Sequence, residues 1–138
     1  MQSIAITRPA PIIVTDADLA RLRPVLDTTH GEAAEALEEE LQRAAVVRQA
    51  DVPPDVVTMN SDVVYEDCAS GARRLVRVVY PKDADARTGK VSVLAPIGAA
   101  LLGLRVGQEI EWQVPGGTRR VRVLEVRYQP EAAGHLAI

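Results

Sequence analysis

The stretch that decides the fold is Leu94–Gly117, LAPIGAALLGLRVGQEIEWQVPGG. Pro96 suits the first turn of a helix and Gly103 suits its end, which predicts a helix of barely two turns between them. The apolar run of about 10 residues is half of the roughly 20 that a membrane-spanning helix needs. A short helix lying across a sheet is the natural use of such a segment, and we expect Leu101 and Leu102 in the core.

After this helix the pattern becomes that of a β-hairpin. Positions 109–114 alternate, with Ile110, Trp112 and Val114 on the inward side. Gly116-Gly117 is a strong hairpin signal, and the returning strand changes phase near its middle. A β-bulge near Val123–Leu124 would bring the apolar side chains of this strand to the core side. These are Val121, Val123, Leu124, Val126 and Tyr128.

Further strands are expected before the short helix. The segment VVTMNSDVVYED contains a strand around Asp62–Glu66, and ARRLVRVVYP and KVSVLA each alternate in the same way. Together with the hairpin, these segments predict an antiparallel β-sheet that carries one short helix.

Residues 15–47 have a helical pattern instead. Thr15 suits a helix N-cap, Asp18 follows it three residues later, and the next leucines share one helix face. Pro24 is expected to kink or shorten this first helix. A turn at Asp27–Gly31 then leads into a second helix, predicted from about Glu32 to Val47. Two narrow apolar stripes joined by a tight turn predict an antiparallel helical hairpin, or short coiled coil.

The composition changes at Pro53-Pro54, which favours an extended spacer. We therefore predict an α+β chain, with the helical hairpin in residues 1–50 and the sheet domain in residues 51–138. The first part carries five arginines and eight acidic residues, and the second carries eleven basic and eleven acidic residues. Neither part is basic enough for a typical nucleic-acid binder, so contact with nucleic acid is expected only indirectly, through a protein partner.

No set of residues has the spacing of a catalytic or metal site. His30 and His135 are far apart, and Cys68 is the single cysteine. We therefore expect no catalytic residues, no metal and no cofactor. Five arginines are expected on solvated strand faces, with an acidic partner as the alternative: Arg73, Arg74, Arg119, Arg120 and Arg122.

The segments APIGAALLGLRVGQEIEWQVPGG and LEVRYQPEA resemble the C-terminal domain of the Gre transcript-cleavage factors, and DVVTMNSDVVYED resembles its entry strand. The short helical hairpin in front resembles the branch of this family described as regulators of nucleoside diphosphate kinase (Rnk). The resemblance covers roughly residues 11–135. It implies an FKBP-like fold for the sheet domain and a partner in bacterial RNA polymerase, at the mouth of the secondary channel. Nucleoside diphosphate kinase is the second candidate partner.

The resemblance assigns polymerase docking to the strand-to-helix loop, formed by Leu94, Ala95, Pro96 and Ile97. Gre factors often have an acidic or polar residue and a serine just before this proline. Leu94 and Ala95 make the loop of this chain more apolar.

Gre factors also carry acidic side chains at the hairpin tip, which hold a catalytic magnesium ion and promote cleavage of a backtracked transcript. The tip here consists of Asp27, Thr28, Thr29, His30 and Glu32. Carboxylates suit Mg²⁺, but Asp27 and Glu32 equally suit the end and the start of two helices. An arm of about 12 to 16 residues is also only roughly 18–24 Å long, about half the Gre length. We therefore expect a regulator that competes with Gre factors without stimulating cleavage.

Two other functions are considered. One is a protein-interaction module that acts on a nucleotide-metabolising enzyme. The other is a peptidyl-prolyl isomerase, suggested by the FKBP-like fold alone, which needs a pocket lined by several aromatic rings. The chain has no Phe and only four aromatic residues, which disfavours that activity. The first residues lack a signal-peptide pattern, so we expect a cytoplasmic protein, and we expect it to be a monomer.

Overall fold

Three α-helices and eight β-strands make up the described part of this computed structural model, which covers residues 6–7, 11–114 and 116–135, with the backbone alone at residues 6, 7, 113 and 114. The helices are α1 (Asp16–Thr28), α2 (Glu32–Arg43) and α3 (Pro96–Leu101). The strands are β1 (Ile6–Thr7), β2 (Ile13–Thr15), β3 (Ala45–Val47), β4 (Asp62–Asp67), β5 (Arg73–Val79), β6 (Lys90–Ser92), β7 (Glu109–Val114) and β8 (Gly117–Tyr128). The α+β class predicted from the sequence is confirmed.

Six strands form the main sheet, in the order β1-β7-β8-β4-β5-β6. Neighbouring strands are antiparallel, except that β6 runs parallel to β5. The prediction of an antiparallel sheet is therefore wrong at this edge. The chain between the two strands crosses over through short 3₁₀ turns at Pro81–Asp83 and Ala86–Thr88, and so enters β6 in the direction of β5.

The β7–β8 hairpin and its bulge are confirmed. Val114 pairs with Gly117, and the register with β4 shifts so that Leu124 is the extra residue of β8. The predicted inward direction is wrong for two side chains. Leu124 lies on the outer sheet face, and Tyr128 lies opposite Asp62 on that same face. A second register shift skips Arg127, so that after the bulge only Val126 returns to the core side.

One connected hydrophobic core joins the sheet to the helices. Trp112 is 2% exposed, and Leu101 and Leu102 are buried, as predicted. Leu22 and Leu37, from α1 and α2, belong to the same core. The apolar faces of α1 and α2, here called the helix pair, are therefore covered by the rest of the chain instead of standing apart from it.

The ends of the helix pair differ in part from expectation. The Thr15 hydroxyl caps α1 by accepting from Asp18 N at 3.0 Å, as predicted. Pro24 lies inside α1 without shortening it, since the helix continues to Thr28. The predicted extension of α2 to Val47 is wrong, because Ala45–Val47 instead pair in parallel with β2 as strand β3. This pairing joins segments about 30 residues apart, so a local sequence pattern does not predict it.

Within the described ranges, no helix has both the length and the hydrophobicity to cross a membrane.

Candidate functional site at the strand-to-helix corner

The loop between β6 and α3 is held by a short series of backbone contacts. Val93 N donates to Val79 O at 2.9 Å, which fixes the end of the strand. Ser92 then organises the turn, because its hydroxyl accepts from Leu94 N at 3.1 Å and its carbonyl accepts from Ala95 N at 3.0 Å. Ala95 occupies the N-cap position without a side-chain hydrogen bond, and Pro96 begins the helix.

Gly98 allows the first turn of α3 to approach the backbone of the preceding strand very closely. A Cβ atom at Gly98 would lie 2.0 Å from the Ser92 carbonyl oxygen and 3.1 Å from Val93 Cα. Since both are backbone atoms, neither can move away as a flexible side chain would. The first turn of α3 therefore packs directly on the preceding strand, and the corner has little freedom to change shape.

Of the four residues assigned to docking, Pro96 is the exposed one. Leu94, Ala95 and Ile97 are half-buried, and Leu94 and Ile97 pack against the hydrophobic core. The structure brings the four predicted residues together at one corner, but it offers a partner mainly the proline ring. The inward packing of Ile97 comes from the position of α3 on the sheet, which loop composition alone does not reveal.

The five predicted tip residues lie at the junction of α1 and α2. Asp27 and Thr28 belong to the last turn of α1, while Thr29 and His30 connect the helices and Glu32 begins α2. The predicted turn at Asp27–Gly31 is thus shorter than expected. The Thr28 hydroxyl donates to Pro24 O at 3.1 Å, which engages it within α1.

A buried polar junction, which the sequence did not predict, fastens α1 to the sheet domain. Asp18 is 3% exposed, and its carboxylate accepts from Met59 N at 3.0 Å. In the same junction, the Thr58 hydroxyl donates to Glu131 Oε1 at 2.7 Å. Burial is the main cause that raises the pKa of the Asp18 carboxyl to about 6. The hydrogen bond from Met59 N lowers this pKa, whereas the negative charge of Glu131 raises it. Because its partners lie 41 and 113 positions away, no local pattern could have shown this role.

The other polar candidates do not form a site. The Tyr128 hydroxyl and His135 Nδ1 lie 2.7 Å apart, and Cys68 is exposed in the turn after β4. Among the described residues, no three His, Cys, Asp or Glu side chains are grouped as they would be around a metal ion.

Most of the predicted arginine surface is neutralised by neighbouring strands. Arg122 and Arg120 pair with Glu109 and Glu111 of β7, at 2.5 Å and 3.0 Å. Arg73 pairs with Glu66 and Arg119 with Asp67. These cross-strand ion pairs favour a solvated outer face over a basic patch.

Comparison with known proteins identifies the family. The model of the GreA/GreB transcription elongation factor C-terminal domain matches residues 52–128, and the model of the Rnk N-terminus matches residues 10–47. The chain is 44% identical to the regulator of nucleoside diphosphate kinase from Escherichia coli K12, over 93% of this chain and 96% of that protein. This chain belongs to the Rnk family. Both halves of the Rnk sequence pattern are therefore present in one chain.

The sheet domain also relates this Rnk-family member to the Gre factors. The chain is 32% identical to the transcription elongation factor GreA of Pelobacter propionicus, over 67% of this chain and 59% of that protein. A solved structure described as prokaryotic transcription elongation factor GreA/GreB from Nitrosomonas europaea matches with a TM-score of 0.72 and 46% identity. That match covers 87% of this chain and 99% of the other. The fold described above is thus shared with a Gre-type protein along nearly its whole length.

Proposed function

We propose that this Rnk-family protein binds bacterial RNA polymerase through the corner Leu94–Ile97 and regulates transcription without cleaving the transcript. The observation that carries the proposal is the shape of the corner, which presents an exposed Pro96 on backbone that Gly98 holds against Ser92. A rigid apolar contact loses little conformational entropy on binding, which favours recognition. The relatives reported above are named as regulators and transcription factors, which agrees with a role in binding.

We further propose that the helix pair, an antiparallel hairpin in front of an FKBP-like sheet domain, obstructs the polymerase channel but performs no chemistry there. Glu32 lies in the first turn of α2, where an acidic side chain suits the helix dipole, whereas Asp27 lies in the last turn of α1, where the dipole does not favour it. The 13 residues of α1 correspond to a length of roughly 20 Å. Much of the helix pair also packs into the common core, which limits how far it projects. Competition with Gre factors follows from a shared docking position.

Nucleoside diphosphate kinase is the second candidate partner. The Escherichia coli relative, 44% identical to this chain, is named as its regulator. A general interaction module acting on such an enzyme would not require the docking corner.

The test is a binding titration of fluorescently labelled protein with purified core polymerase. Pro96→Glu places a charge on the exposed residue, and an acidic side chain is well tolerated in the first turn of a helix. We expect at least about tenfold weaker binding, since losing an apolar anchor at an interface typically costs about 1–3 kcal/mol. Val106→Glu is the matched control, because Val106 is also an exposed apolar residue of the sheet domain.

Equal affinities for Pro96→Glu and the unmodified protein, with unchanged circular dichroism, would remove docking from this corner. Binding to nucleoside diphosphate kinase but not to polymerase would favour the second candidate.

A further inference from the structure

The outer face of the sheet, turned away from the core, carries an apolar strip across three neighbouring strands. Val64 of β4 pairs directly with Leu75 of β5, and Leu124 of β8 lies beside Val64 at the bulge. Leu75 is 49% exposed, while Val64 and Leu124 are half-buried. We call these three side chains the outer strip. Because the solvated face of an antiparallel sheet is normally polar, a contiguous apolar strip there indicates a contact surface.

Three arginines border the outer strip and line a shallow hollow of about 510 Å³ with it, namely Arg73, Arg74 and Arg127. Arg73 pairs with Glu66 at 3.4 Å, and Arg127 pairs with Glu125 at 3.3 Å. Arg74 has no carboxylate partner among the described residues. Since solvent-exposed ion pairs contribute little to stability, a carboxylate from a partner can replace either of the two. The border therefore has one unpaired positive charge and two more that are loosely held.

The charge and chemistry of this surface disfavour two kinds of occupant. A second copy of the chain, placed on it across a two-fold axis, would set the arginine border against itself. A nucleic acid would place its phosphates over the apolar centre, and none of the described residues lining the hollow is an aromatic ring on which a base could stack. A polypeptide with both apolar and acidic side chains complements both parts of the surface.

The width of the outer strip suits an α-helix. Its three side chains lie on the neighbouring strands β8, β4 and β5, so the outer two are separated by two interstrand spacings, about 10 Å. Positions i and i+7 of an α-helix are about 10.5 Å apart along the axis, with i+3 or i+4 between them on the same face. One helix laid across the strands can therefore place an apolar side chain against each member of the strip.

We propose that the outer strip binds an acidic amphipathic helix of a protein partner. The apolar face of that helix packs on Val64, Leu75 and Leu124, and its flanking carboxylates pair with the bordering arginines, above all with the unpaired Arg74. The docking corner contributes none of the residues that line this hollow. The proposal is therefore independent of polymerase docking at the corner.

The test is a fluorescence anisotropy titration of the full chain with a labelled helical peptide of about 18 residues, long enough to form a helix in water. The peptide carries leucines at i, i+3, i+4 and i+7, with glutamates flanking this stripe. Two unlabelled peptides then compete with it, one with Lys in place of each Glu and one with Ala in place of each Leu. We expect each to compete at least about tenfold more weakly than the unlabelled parent peptide, since the site uses both charge and apolar contact.

The net charge of the chain is −3, so a general electrostatic attraction would favour the lysine peptide instead. Failure of the acidic peptide to bind would overturn the proposal. Equally strong competition by the lysine peptide or by the alanine peptide would overturn it as well.

Two variants locate the binding on the outer strip. Leu75→Asn and Arg74→Glu change exposed side chains, and each should raise the Kd of the acidic peptide at least about tenfold while leaving the circular dichroism unchanged. Val106→Asn and Arg87→Glu make the same changes on exposed residues outside the hollow and should leave the Kd unchanged. Equal effects of the two sets would overturn the assignment. A dimer of the chain in sedimentation that Leu75→Asn abolishes would assign the strip to a second copy and would also overturn it.

Discussion

The corner before α3 and the tip between α1 and α2 both lie at helix ends, but they are constructed differently. At the corner, Ser92 and Gly98 fix the backbone and the flanking side chains pack inward, which leaves Pro96 as the exposed contact. At the tip, Asp27 and His30 are exposed. A fixed surface suits recognition, whereas a metal site would require several carboxylates held on one ion. The comparison therefore supports the proposal that the corner binds the partner and that the tip performs no chemistry.

The largest expected effect is a loss of stability when the core side chain of Trp112 is truncated. Trp112 lies in the core that covers α3 and the sheet. Trp112→Ala should lower the free energy of unfolding by roughly 3–5 kcal/mol, as truncations of large core side chains do. Chemical denaturation followed by circular dichroism measures this change. A loss below about 1 kcal/mol would mean that this ring contributes little to the core.

The rigidity of the corner is tested at Gly98. Gly98→Ala places a methyl group against the Ser92 carbonyl oxygen, so the backbone must move. We expect a loss of about 3 kcal/mol in the free energy of unfolding, at the upper end of overpacking effects, and weaker polymerase binding by the variant that remains folded. Gly107→Ala controls for the loss of a glycine, since nothing lies within 4 Å of a Cβ there, although its positive φ adds some strain. A Gly98→Ala protein with normal stability and normal binding would show that the close approach is unimportant.

The α-helix and strand pattern was largely predictable, since the Thr15 cap, the Gly116-Gly117 hairpin and the bulge at Leu124 depend on neighbouring residues. The errors concern contacts between distant parts of the chain. The β2–β3 pairing joins Ile13 to Ala45, and the parallel β5–β6 pairing depends on the crossover turns. The site shows the same division, because the four corner residues are contiguous in the sequence whereas the buried polar junction brings together Asp18 and Met59, which are 41 positions apart.

The polar junction beneath the helix pair gives a pH dependence of stability. Asp18 has a pKa of about 6 in the folded protein and about 3.8 when unperturbed, so the folded state binds the proton more tightly. Its favourable contribution is full below pH 3.8 and is lost as the pH rises through 6. Asp18→Asn should therefore raise the free energy of unfolding at pH 7 by about 1–2 kcal/mol, because it removes the buried charge while keeping an acceptor for Met59 N.

The measurement is the free energy of unfolding at pH 5 and at pH 7 for both proteins. The difference between Asp18→Asn and the unmodified protein should shrink at the lower pH, where Asp18 becomes protonated. A difference that stays constant between the two pH values would show that the carboxyl does not titrate in this range.

The smallest expected effect is at the tip. Asp27→Ala combined with Glu32→Ala should change the free energy of unfolding by less than about 1 kcal/mol, since each carboxylate contributes only a helix-end interaction. Competition with a Gre factor for polymerase should remain nearly unchanged. Glu35→Ala with Glu39→Ala, two exposed acids farther along α2, is the matched control. Loss of competition in the tip variant alone would assign binding to the tip and would weaken the contrast with the corner.

Cleavage of a labelled transcript in a backtracked polymerase complex tests the central claim most directly. The protein is added alone, and then at increasing concentration together with a fixed amount of a Gre factor. We predict no stimulation by the protein alone and a progressive loss of Gre-stimulated cleavage, which Pro96→Glu should largely abolish. Robust cleavage with this protein as the sole added factor, removed by the double change at Asp27 and Glu32, would contradict the account and assign a cleavage role to the tip.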